Sequence, residues 1–117
     1  MNPSLPECLR TFVQSVNTHP RIGKLLQGWE PLLLIEATDD GQQFNLRVQN
    51  SRLGEVGVGV ADSSHSILVR GDSAVLRDVF SGAVNPAQAY LEGSLEVFGS
   101  DRDQIKLDAI SLVLWGM

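Results

Sequence analysis

Two histidines, one cysteine and two close pairs of aspartates are the residues from which this sequence could build a reactive centre. Nucleophilic hydrolysis needs a serine or cysteine beside a histidine base, with an acid to orient the base. His65 stands between Ser64 and Ser66, but the stretch from Asp62 to His65 is polar and reads as a loop. His19 precedes Pro20 and only interrupts a helical pattern. Cys8 lies inside that pattern and reads as a small, partly buried apolar residue. Zinc asks for three or four clustered ligands, which one cysteine and two distant histidines do not supply. Asp39-Asp40 precedes Gly41 as a turn signal, and Asp101 with Asp103 sits where a helix N-terminus favours negative charge. Gly54-Glu55-Val56-Gly57-Val58-Gly59 has glycines in the wrong order for a phosphate loop. Valines alternate with those glycines, and no helix follows. The expectation is a protein that is not an enzyme and has no metal or cofactor.

The elements that surround these residues are those of one ordinary globular domain, 1–117. Of the 117 residues, 43% are hydrophobic and 20% charged, too apolar and too weakly charged for a disordered chain. The formal net charge is -5, and nine Lys and Arg are spread singly. No basic cluster exists to neutralise successive phosphates, so nucleic acid is excluded as a partner, and charge alone gives no tight docking on anionic lipid. No apolar run approaches the roughly twenty residues of a membrane span, and MNPSLPECLR lacks the regions of a signal peptide. A single cysteine forms no internal disulfide, and the cytoplasm is the expected location.

Hydrophobic spacing divides the chain. Ser4 and Glu7 have capping-box spacing, and Leu5, Leu9, Phe12, Val13 and Val16 make the stripe of an amphipathic helix. A shorter helical piece with Ile22, Leu25 and Leu26 runs to Gly28. Leu32 to Ala37 reads as a strand buried on both faces. Phe44, Leu46 and Val48 alternate with polar residues, Val56, Val58 and Val60 alternate with glycines, and Ile67 with Val69 marks a fourth strand. Short turns between them predict a mainly antiparallel sheet. Asp72 caps a helix that carries Val75, Leu76, Val79 and Phe80 and stops at Gly82. Asn85-Pro86 opens the next helix and Gly93 ends it. Leu95 and Val97 form the fifth strand, and Ser100 with Asp103 caps a terminal helix running through Ile105, Leu107, Ala109, Ile110, Leu112, Val113 and Leu114.

The series Ile67-Leu68-Val69, Asp72, Leu76, Ser81-Gly82, Asn85-Pro86, Ala89, Gly93, Leu95, Gly99 and Lys106-Leu107 resembles the sterol carrier protein 2 family in order and spacing. The resemblance is carried by residues 67 to 114. It implies an α+β fold in which helices cover one side of a five-stranded, mostly antiparallel sheet. It also implies an apolar tunnel between the two layers, for fatty acyl chains, sterols or other lipids. The chain stops at Trp115-Gly116-Met117, without the peroxisomal address of eukaryotic members. That implies a prokaryotic stand-alone version, for which prenylquinone-like compounds and fatty acids are better ligands than sterol.

Placed on this sequence, the lipid-binding cavity is expected to be lined from the sheet by Phe44, Leu46 and Val58. The two middle helices contribute Leu76, Phe80, Ala89 and Tyr90. The terminal helix contributes Ile105, Ala109, Leu112 and Val113, since its apolar residues cover more of its circumference than a surface helix needs. The alternative is an accessory or dimerisation module that presents a lipid to a partner enzyme, for example in quinone biosynthesis. Transient contact with a membrane or enzyme, or a homodimer, belongs to that reading. An exposed stripe of Val113, Leu114 and Trp115 would favour it.

Overall fold

The computed structural model describes residues 4–59 and 67–116. Val60, the Asp62–His65 loop and Ser66 lie outside them. Helix α1 spans Leu5–Thr18, capped by the Ser4 hydroxyl, which accepts from the Glu7 amide. The chain then forms α2 (Ile22–Leu25), β1 (Leu32–Ala37), β2 (Gln43–Gln49), β3 (Arg52–Leu53) and β4 (Gly57–Val58). The second half holds β5 (Ile67–Gly71), α3 (Ser73–Phe80), α4 (Pro86–Glu92), β6 (Leu95–Phe98) and α5 (Asp101–Trp115).

The sheet runs in the order β3-β2-β1-β5-β6, with β4 also paired to β2. Only β1 with β5 is parallel among these pairings; the others are antiparallel. The register aligns Leu33 with Leu46 and Ile67, and Ile35 with Phe44 and Val69. Val69 in turn faces Val97 across β5 and β6. One face of the sheet thus presents a continuous apolar row. Leu5, Leu9, Phe12 and Val16 of α1 and Leu76, Val79 and Phe80 of α3 join it in a single core.

Two differences from the sequence pattern have local causes. The turn at Asn50-Ser51 is a hairpin that adds β3, since both residues take positive φ, 54° and 60°. A two-residue loop of this kind matches the strand twist, and Asn tolerates it better than most residues. The Val56–Val60 alternation gives only Gly57–Val58 as strand. Asn45 of β2 lies where a Cβ on Gly57 would be, and its amide donates to Gly59 O at 2.8 Å. Gly57 therefore admits a side chain of the neighbouring strand.

One aspartate of each pair helps hold a helix in place, while Asp40 closes the turn by accepting from the Gln42 amide at 2.9 Å. Asp39 accepts from the Ser73 amide at 2.9 Å and from its hydroxyl at 2.7 Å, while Asp72 caps α3 through the Val75 amide. Asp103 accepts from the Trp29 indole N–H at 2.8 Å, and its own amide donates to the Ser100 hydroxyl. Cys8 is buried, and burial pushes its thiol pKa up from 9.0, away from the reactive thiolate.

The Ser73 hydroxyl and amide lower the Asp39 pKa below its ordinary 3.8. A depressed carboxylate stabilises the fold above its unfolded-state pKa, and that contribution disappears as pH falls through the folded value. A titration followed by NMR should place Asp39 below 3.8. Asp39→Asn should lower stability at neutral pH, with the difference from wild type vanishing in acid. At the end of α3, Gly82 has φ 80° and would put a Cβ 2.5 Å from Trp115 Cδ1. Gly82→Ala should therefore cost about 1–3 kcal/mol in chemical denaturation, through backbone strain and collision with the indole.

Candidate functional site

Between the β5–β6 end of the sheet and the helices lies a partly enclosed cavity of about 160 Å³. Its floor is Leu33, Val69, Leu95 and Val97, the inward residues of β1, β5 and β6. Phe12 of α1 and Val79 and Phe80 of α3 close one end, with the Phe12 and Phe80 rings edge to face at 5.1 Å. Pro86, Ala87 and Tyr90 of α4 and Leu107, Ile110 and Trp115 of α5 form the remaining apolar wall. Trp115 also lies tilted against Phe12 at 6.0 Å.

The helix arrangement follows from local sequence. Asn85 caps α4 by accepting from the Ala87 amide at 2.9 Å, Pro86 sits in the first turn, and Gly93 ends it at φ 83°. These stops separate α4 from α3 as a helix of its own. Helix α5 follows β6 and completes the wall of the cavity. Its rotation about its own axis is set by Trp29 donating to Asp103 and by Lys106 Nζ donating to Leu25 O at 2.7 Å. With Asp103 and Lys106 turned to the α2 segment, Gln104, Leu107, Asp108, Ser111 and Trp115 face the cavity at helical spacing.

Of the residues assigned to a cavity from sequence, Phe80 and Tyr90 line this one. Phe44, Leu46, Leu76 and Ala89 are buried in the packed core away from it. Leu112 is exposed and edges an adjoining surface hollow with Asn85, Pro86, Ala87, Asp108 and Ser111. Ala109 and Val113 are half-buried outside the lining. Val58 and Ile105 stand in solvent, 86% and 66% exposed. Strand alternation put Val58 on the face of Phe44, its partner across β2, but does not say whether anything covers that end of the sheet. For Ile105, the hydrogen bonds to Trp29 and Leu25 turn the opposite side of α5 inward.

Part of the lining on α5 is hidden from pattern reading. The cavity-facing stripe of α5 contains Gln104, Asp108 and Ser111, so it does not look apolar. Val113, Leu114 and Trp115 pack against the core, so they offer no exposed stripe. The large exposed apolar side chains include Tyr90, Leu91, Phe98, Ile105 and Leu112. Among the described residues, no group of three or more His, Cys, Asp or Glu could hold a metal, and no helix is long and apolar enough to cross a membrane.

No family model matches the sequence, and no curated protein matches it. Solved structures do match in fold. The sterol carrier protein domain 2 of Helicoverpa armigera has a TM-score of 0.74 at 13% identity, over 95% of this chain and 87% of that one. Palmitated SCP2L2 from Aedes aegypti gives 0.67 at 16% identity, over 93% and 95%. The ubiquinone synthesis protein UbiJ-SCP2 gives 0.66 at 15%, over 88% and 84%. A stereoselective inverting sec-alkylsulfatase, Pisa1 from Pseudomonas sp., matches over 79% of this chain but only 14% of its own, with a TM-score of 0.62 at 18% identity. With helices over a mostly antiparallel sheet and an apolar space between them, the chain has the sterol carrier protein 2 fold.

Proposed function

We propose that residues 1–117 form one lipid-binding domain, which holds a hydrophobic ligand non-enzymatically and carries it or hands it on. The observation that carries this reading is the cavity itself, walled by apolar side chains from β1, β5, β6 and four helices. Its 160 Å³ is close to the roughly 150 Å³ of an engineered apolar cavity that stays dry and admits benzene. A ring or a short length of chain fits inside. The rest of a longer ligand would continue past Pro86, Ala87 and Ser111, which border both the cavity and the outer hollow. Each methylene removed from water contributes about 0.8 kcal/mol, so no charged anchor is required. A fold neighbour solved in palmitated form supports a lipid as occupant. Fatty acyl, prenylquinone-like and sterol-like compounds belong to this class.

The second reading is an accessory module that presents the lipid to an enzyme, from within the cytoplasm and with a homodimer or a transient enzyme or membrane contact. It is favoured by the fold's occurrence as a small part of the alkylsulfatase and by its occurrence in a ubiquinone synthesis protein.

A neutral, environment-sensitive alkyl probe should bind saturably at about one per chain. Absence of saturation at every chain length tried would refute the carrier reading. Ser111 is buried and lines the cavity, whereas Ala109 lies outside the lining. Ser111→Phe should therefore weaken probe binding more than about tenfold while destabilising the fold by less than the ~1–3 kcal/mol of an overpacked core. Ala109→Phe should leave binding within about twofold of wild type, because the added ring lies outside the cavity lining.

A further inference from the structure

The cavity is apolar except along one stripe of α5, formed by Gln104, Asp108 and Ser111. Asp108 is the charged residue of that lining, and it also borders the outer hollow, so it stands at the mouth. Among the described residues, the cavity lining contains no Lys, Arg or His, and no cation pairs with Asp108.

The hydrogen-bonding capacity left on this stripe is uneven. Ser111 donates its one hydroxyl hydrogen to Leu107 O at 3.2 Å, which leaves the oxygen as an acceptor. Gln104 donates one amide hydrogen to Gly99 O at 3.2 Å, keeping its carbonyl oxygen and one N–H. The Asp108 carboxylate only accepts. Tyr90, on α4, has a hydroxyl that rotates into either role, and the Trp115 indole nitrogen lies against Gly82 rather than at the mouth. A ligand whose polar end is itself a carboxylate would set acceptor against acceptor and negative charge against negative charge.

Resting on the lipid reading above, we propose that Asp108 selects amphiphiles whose polar end donates a hydrogen bond. Alcohols and phenols qualify, and so do amines, but ionised fatty acids do not. The apolar chain enters the cavity while the hydroxyl or ammonium group stays at the mouth and donates to Asp108.

Decanol, decylamine and decanoate share one chain and differ at the polar end. Their affinities are read by displacement of a neutral alkyl probe from the full chain at neutral pH, for wild type, Asp108→Asn and Asp108→Lys. Because decanol is also the more hydrophobic compound, the decisive quantity is how the decanol-to-decanoate affinity ratio changes between proteins. That ratio should fall about fivefold in Asp108→Asn, as expected for losing one charge contact at a wet site. It should fall further in Asp108→Lys, where decylamine should become the weakest ligand. An unchanged ratio, or an equal loss for all three compounds, would overturn the selection by Asp108 while leaving the lipid reading intact. Failure of all three to displace the probe would overturn both.

Discussion

The interior of this protein depends on how one helix is turned. Helix α5 has apolar residues on nearly every side, so its own sequence does not say which face goes in. The Trp29 indole N–H donating to Asp103, and the Lys106 ammonium donating to Leu25 O, decide it. Trp29 is buried, and a buried N–H left without a partner costs about 1–3 kcal/mol, which makes other rotations expensive. Once these bonds form, Leu107, Ser111 and Trp115 are aimed over β5 and β6, and a space is left beneath them. Val79 and Phe80 of α3 and Pro86, Ala87 and Tyr90 of α4 wall the same space. Gly82 seats Trp115, and Asn85-Pro86 restarts the chain in a new direction.

Much of the fold was legible because it is local. Ser4, Asp72, Asn85 and Ser100 cap the helices their positions predict, and Gly93 ends α4 in the left-handed conformation. Leu32 to Ala37 is a strand nearly buried throughout, as its unbroken apolar run requires. The mostly antiparallel sheet followed from short turns, although the parallel pairing of β1 with β5 carries no local signal. The cavity was less legible for the same physical reason. Its lining is set by bonds between residues 74 and 81 positions apart, and by polar residues on a face that pattern reading expects to be greasy. Phe80 and Tyr90 could be placed from helix spacing alone; Gln104, Asp108 and Ser111 could not.

The polar stripe and the apolar floor give the site two chemistries. The floor favours any chain or ring by excluding it from water, and so discriminates weakly between hydrophobic ligands. Discrimination has to come from the mouth, where α4 and α5 meet and where Asp108 and the Ser111 oxygen can still accept hydrogen bonds. Tyr90 and Leu112 remain exposed there, apolar surface that a protruding ligand or a docked enzyme would cover.

Native mass spectrometry of the purified chain, with and without added lipid, tests the central claim most directly. The account predicts one added mass per 12.7 kDa chain, released on unfolding and strongly depleted in the Ser111→Phe variant. A bare chain under every lipid tried, or several adducts that persist unchanged in that variant, would contradict it.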